Sequence, residues 1–185
     1  KGMKSLSFHR SPGDNRADMK FIAVQTQDFD VAAEYAELRK DNRSDGAIVF
    51  FSGLVREMNQ GSEVSGLTLE HYPGMTEKAL QQIVDQAFER WPLNRVRLIH
   101  RIGTLTITDQ IVFVGVSSAH REAAFEACHF IMDFLKTRAP FWKKEVTEKG
   151  ERWVEALDKD QQALSKWQDA GEEADTEKKA TKVEK

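Results

Sequence analysis

Apolar positions along the chain change their period repeatedly from Met19 onward, and each change marks an element. Phe21 to Val24 reads as a short strand. Val31, Tyr35 and Leu38 then recur at helical spacing behind Asp30, a residue suited to capping a helix N-terminus. Ala47 to Phe51 is a compact β-branched and aromatic run leading into Gly53 and Arg56. Leu67, Leu69 and His71 alternate with Thr68, Glu70 and Tyr72, so the two runs predict two strands paired with each other. Pro73 and Gly74 end the second strand. Leu80, Val84, Ala87, Phe88 and Trp91 mark one face of a helix that stops before Pro92. Val96, Leu98, His100 and Ile102 alternate again, and Ile111 to Val116 is a continuous apolar run typical of a strand buried on both faces.

A central helix is expected from a cap at Ser118 to Pro140, which forbids continuation. Ala124, Cys128, Ile131 and Leu135 form its apolar stripe, widened by Phe125, Ala127, Phe130 and Phe134. Glu122, Glu126, His129, Asp133 and Lys136 form a narrower polar stripe, in which Lys136 stands within pairing reach of Asp133. Beyond it, Val146 to Val154 reads as a hairpin turning at Gly150, and Gln161 to Trp167 as a last helix. The elements together predict an α+β fold, a mixed sheet flanked by helices with a C-terminal hairpin and helix.

Composition narrows the function classes. A chain of 185 residues, 40% of them apolar, suits one domain with a real core. Residues 1–18 are polar and aperiodic and read as an extraneous or disordered leader. Residues 19–168 carry the domain, and 169–185 form a charged tail unable to offset chain entropy by burial. A net charge of −3 gives no support to wholesale nucleic-acid binding. Cys128, the single cysteine, sits among apolar residues as an inert core thiol. With no run of membrane-span length and no hydrophobic signal segment, a soluble, cytoplasmic protein is expected.

Candidate chemistry concentrates around the central helix. There is no glycine-rich phosphate loop, no paired histidines at metal-ligand spacing and no serine elbow. His120 and Arg121, just after a buried strand at a helix start, would add cationic donors to free backbone N–H groups, an arrangement suited to phosphate; solvated first-turn residues fit the pattern as well. At the other end, Lys136, Arg138, Lys143 and Lys144 are four cations within nine residues, interleaved with Phe141 and Trp142. Apolar neighbours depress a lysine pKa and strengthen its hold on an anion, which is one route to a catalytic lysine. A lysine complementing the helix dipole, its stem lying over the rings, is the structural alternative.

Four blocks carry a resemblance. Leu69-Glu70-His71-Tyr72-Pro73-Gly74-Met75, His100-Arg101-Ile102-Gly103, Ser118-Ala119-His120-Arg121 and Lys136-Thr137-Arg138-Ala139-Pro140-Phe141-Trp142-Lys143 closely resemble, in order and spacing, the large catalytic subunits of molybdopterin synthases. The likeness spans roughly Met19 to Trp167. It implies an α/β hammerhead-like fold and a sulfurtransferase of molybdenum cofactor biosynthesis. In this family, a small ubiquitin-like partner subunit supplies sulfur as a C-terminal glycine thiocarboxylate. The substrate is cyclic pyranopterin monophosphate, which becomes the molybdopterin dithiolene. No metal or other cofactor is implied. The assembly implied is a homodimer of large subunits within a heterotetramer having two of each subunit.

Carried over by position, the resemblance makes Lys136 and Lys143 catalytic. It places Leu54, Val55, Arg56, His120, Arg121, Lys144 and Glu145 with the two lysines around the substrate, with His120 and Arg121 serving the neighbouring protomer's site. Two positions depart from the pattern: Leu54 stands where some members carry a lysine, and Leu157 where others carry an arginine. A reading from a different class is a nonenzymatic module that uses the Lys136 to Lys144 cluster to hold an anionic ligand or single-stranded nucleic acid.

Overall fold

The structure, a computed structural model, describes residues 19–59, 62–148, 150–154, 165 and 167. The leader, the charged tail, Leu157 and most of the expected last helix lie outside the described residues. The elements run β1 (Lys20–Gln25), α1 (Val31–Arg39), β2 (Ala47–Leu54), β3 (Met58–Asn59), β4 (Ser62–His71), α2 (Met75–Arg90), β5 (Leu93–Arg101), β6 (Gly103–Thr106), β7 (Gln110–Ser118), α3 (Arg121–Arg138), β8 (Phe141–Thr147) and β9 (Gly150–Val154).

The strands form two sheets. In the first, of order β1-β5-β7-β2, β1 pairs parallel to β5 and the other pairs are antiparallel. In the second, of order β3-β4-β8-β9 with β6 also on β4, every pairing is antiparallel. This corrects the expected pairing of the Ala47 and Leu67 runs: β2 pairs with β7, and β4 with β6 and β8. Alternation within a strand fixes which face is buried and says nothing of the neighbour across it.

The first sheet is covered on both faces, which is why β7 is apolar from Ile111 to Val116. Leu80, Val84 and Ala87 of α2 and Ala127, Phe130 and Ile131 of α3 pack with Val96, Leu98, Val114 and Val116 in the main core. Leu38 of α1 packs with Phe29, Ile99 and Phe113 on the opposite face. Gly115 is required there, because a Cβ at that position would stand 2.6 Å from Leu38 Cδ1 and 2.7 Å from Phe113 Cε1.

Caps explain the helix starts. Asp30 caps α1, its Oδ1 accepting from Ala32 N at 2.8 Å. At α2, Gly74 takes φ +83°, and the Glu77 carboxylate accepts from its backbone N–H at 2.6 Å. The expected cap at Ser118 is not the cap of α3: Ser118 belongs to β7 and its hydroxyl donates to Pro92 O at 2.9 Å. His120 is the N-cap instead, without a side-chain bond to the helix.

The passage between sheets is made by His100-Arg101-Ile102-Gly103. Arg101 is buried, and its guanidinium donates to Asp28 Oδ1, Thr26 O and Gln110 O, tying the β1–α1 loop to the start of β7. Gly103, at φ +85°, turns the chain into β6.

Candidate active site

Helix α3 has 18 residues and is therefore about 26 Å long, which separates the candidate residues into two groups. His120 and Arg121 are exposed at its N-terminus, beside the start of β2, where Ala47 pairs with Ser118. Lys136 is exposed at its C-terminal end, and Ala139 and Pro140 lead directly into β8 with Lys143 and Lys144. One chain therefore brings Lys136 and Lys143 to one end of α3 and holds His120 and Arg121 at the other.

The junction after α3 is fastened from α2. The buried Thr76 hydroxyl donates to Pro140 O at 3.1 Å and accepts from Tyr72 N at 3.0 Å, linking the Tyr72-Pro73-Gly74 turn to the α3–β8 connection. Sequence reasoning passed over Thr76, whose role depends on a partner 64 residues away.

Register then divides the cations of β8. Phe141, Lys143 and Glu145 lie opposite His71, Leu69 and Leu67 on the face that is covered, whereas Trp142 and Lys144 lie opposite Glu70 and Thr68 on the other. Lys144 pairs with Glu151 at 2.8 Å and lies over the Trp153 ring, 5.5 Å from its centroid. That pair raises the Lys144 pKa, first through the hydrogen bond the ammonium donates to Glu151. Glu145 is buried and accepts from Arg152 Nε at 3.1 Å and Nη2 at 2.9 Å. The basic and aromatic cluster of the sequence is thus not one continuous strip.

The covered face gives Lys143 an unusual neighbourhood. His100 lies flat against Phe141 and is pushed down to a pKa of about 4, first by burial and then by the nearby charges of Lys143 and His71. Its Nδ1 stands 2.8 Å from Arg101 O, and since a carbonyl only accepts, Nδ1 carries the proton of a neutral ring. His71 Nε2 is 3.6 Å from Glu77 Oε1. The neutral His100 ring, stacked on Phe141, adds no competing charge near Lys143.

Leu54 is half exposed at the end of β2, where the register shifts. Val55 is buried with Leu67, Leu69 and Leu105, and its backbone bonds to Asp109 O and Thr108 N. Arg56 follows, exposed, at the edge of that apolar cluster, whose Leu69 lies across from Lys143.

Lys136 lines a groove of about 790 Å³ between β2 and α3, walled by Val49, Phe51, Phe125, Met132 and Trp167. Lys136 has no hydrogen-bond or ion-pair partner among the described residues. Cys128 lines the groove from the core side; burial raises its pKa to about 12, so the thiol is inert near neutrality. Among the described residues, no group of three or more His, Cys, Asp or Glu is arranged to hold a metal ion, and no helix is long and apolar enough to cross a membrane.

Fold and site together define an α+β protein with two lysines, Lys136 and Lys143, placed where its main helix meets its second sheet. A family model described as MoaE protein matches residues 24–138. The molybdopterin synthase catalytic subunit of Escherichia coli is 62% identical over 146 residues, 79% of this chain and 97% of that protein. That of Vibrio cholerae is 60% identical over 147 residues, 80% of this chain and 97% of that protein. The solved MoaE protein of Burkholderia ambifaria superposes with a TM-score of 0.69 at 51% identity, covering 80% of this chain and 98% of that one. The chain belongs to the MoaE protein family, the catalytic subunits of molybdopterin synthase, and is accordingly an enzyme of molybdenum cofactor biosynthesis.

Proposed function

We propose that the chain installs the dithiolene sulfurs of molybdopterin on cyclic pyranopterin monophosphate, taking each sulfur from the C-terminal thiocarboxylate of a small ubiquitin-like partner subunit. The observation that carries the reading is the delivery of Lys136 and Lys143 to the same end of α3, with Lys136 uncompensated among the described residues. The thiocarboxylate sulfur bonds to a pterin side-chain carbon as a C–O bond at that carbon breaks, the oxygen leaving as water or with the phosphate. Water then adds to the partner's acyl carbon, and cleavage of the acyl C–S bond leaves sulfur on the pterin and a carboxylate on the partner. A lysine ammonium stabilises the tetrahedral oxyanion of that hydrolysis, and a second holds the anionic substrate. Either lysine suits either task.

Arg56, His120 and Arg121 supply guanidinium and imidazole donors for the cyclic phosphate. Because α3 holds His120 and Arg121 about 23 Å from Lys136, a homodimer in which they serve the partner protomer's site completes the arrangement. Two large and two small subunits then make the active assembly, in the cytoplasm and with no further cofactor. Product formation from the pyranopterin precursor tests the reading, using thiocarboxylated small subunit and folded Lys136→Ala and Lys143→Ala variants. Dithiolene product that requires the partner and falls by about 100-fold or more in each variant is expected. A well-folded wild type that binds the partner and yields no product overturns it.

A further inference from the structure

Two indoles hold the acidic face of α3. Glu126 accepts from Trp91 Nε1 at 2.7 Å, and Asp133 accepts from Trp167 Nε1 at 2.8 Å. The two indoles meet edge to face, 5.7 Å between centroids. Trp167 is buried against Phe130 and anchored by Arg90, which donates to its backbone carbonyl at 2.9 Å. His129 Nε2 also lies 3.3 Å from the Asp133 carboxylate.

This matters because Asp133 and Lys136 stand at i and i+3, a spacing at which carboxylate and ammonium ordinarily pair. The titratable groups sharing the groove with Lys136 are Glu126, Cys128, His129 and Asp133, all on α3, while β2 brings only Val49, Phe50 and Phe51. Asp133 is thus the natural counter-ion, and it is turned instead toward Trp167 and His129. We infer that Trp167 is a positioning residue for Lys136: by engaging the Asp133 carboxylate it keeps the lysine ammonium free for an anionic ligand. This rests on Lys136 being the working lysine of the proposed reaction, but its geometry does not.

The test reads Lys136 directly, by trace acylation of the full-length protein across a range of pH with lysine-by-lysine quantification by mass spectrometry. Trp167→Phe keeps the ring and removes the donor. It is expected to slow Lys136 acylation near neutrality by up to about fivefold, the reach of an exposed ion pair, and to leave Lys20 and Lys78 unchanged. Adding Asp133→Asn to Trp167→Phe restores the wild-type rate, which loss of packing alone would not. Asp133→Asn alone leaves Lys136 at the wild-type rate. Faster acylation in Asp133→Asn alone, or an unchanged rate in folded Trp167→Phe, overturns the inference; if Trp167→Phe does not fold, the Asp133→Asn arm decides. Sulfur transfer measured alongside keeps the two readings apart: a wild type that makes no product, yet shows these acylation rates, fails the proposed reaction and retains the Trp167 assignment.

Discussion

The rings of His100 and Phe141 lie stacked, 3.7 Å between centroids and 15° from parallel, and they join the two sheets at the strand that carries Lys143. His100 is the next-to-last residue of β5 in the first sheet, and Phe141 begins β8 in the second. The contact is buried on the histidine side, so the imidazole is neutral for a physical reason, desolvation, reinforced by the charges of Lys143 and His71.

Acid sensitivity follows with a definite sign. The folded His100 takes up its proton only near pH 4, whereas the unfolded chain does so near 6.5. Between those values the unfolded state binds more protons, so the stability that His100 contributes is complete above pH 6.5 and is lost as pH falls toward 4. The loss is at most about 3 kcal/mol. Thermal unfolding of His100→Gln across this window should show a shallower decline than wild type, from a lower starting stability at neutral pH. An equally steep decline would remove His100 from the account.

The opposite faces of β8 separate two adjacent lysines. Lys143→Ala should lower turnover by about 100-fold or more, as removal of a group acting on the transition state does. Lys144→Ala removes a surface pair with Glu151 on the far face and should leave the melting temperature nearly unchanged. Its kcat/KM should fall by less than about tenfold. Steady-state kinetics with thiocarboxylated partner compares them; equal losses in both variants would mean that the substrate reaches around the strand.

Glu145 is best tested through Arg152. With its partner truncated, the buried carboxylate keeps its desolvation cost and loses both charge-assisted hydrogen bonds. Arg152→Ala should therefore cost about 2 kcal/mol, or about 4 to 8 °C in melting temperature for a chain of this size. Arg152→Ala combined with Glu145→Gln should recover part of it. An unchanged melting temperature in Arg152→Ala would show that the carboxylate is hydrated and open to substrate.

How far the residues disclosed this arrangement depends on whether the relevant physics is local. Asp30 as a cap, the stop before Pro92, the turn at Gly150 and the core stripe of α3 are set by neighbours in the chain and stand as expected, except that Phe125, expected to widen the stripe, is exposed on the groove side. Sheet partnership is not local: Val49 and Leu69 alternate in the same manner and belong to different sheets, because alternation carries no information about the strand alongside. The lysines were visible as a cluster, but the division of Lys143 from Lys144 required a register. Thr76 and Trp167 gave no signal, since a threonine at a helix start and a tryptophan in a polar segment acquire meaning only from Pro140 and Asp133. Asp133 was legible as a partner for Lys136 and is found on Trp167 instead, because the indole comes from a distant part of the chain.

The separation of His120 and Arg121 from Lys136 along α3 yields the sharpest test of assembly. If each site draws its lysine from one protomer and its arginine from the other, Lys136→Ala and Arg121→Ala homodimers are each inactive for different reasons. A mixed dimer of the two then has one site with both residues intact and one with both missing. Random exchange makes half of the dimers mixed, so activity should return to about a quarter of wild type. If both residues served a site within one chain, every site in the mixture would lack one of them and nothing would return. Co-refolding or co-expression of the two variants with thiocarboxylated partner, followed by product formation per large subunit, distinguishes the cases. A recovery that rises and falls with the mixing ratio, peaking at equal amounts, would fix Arg121 in the partner protomer's site.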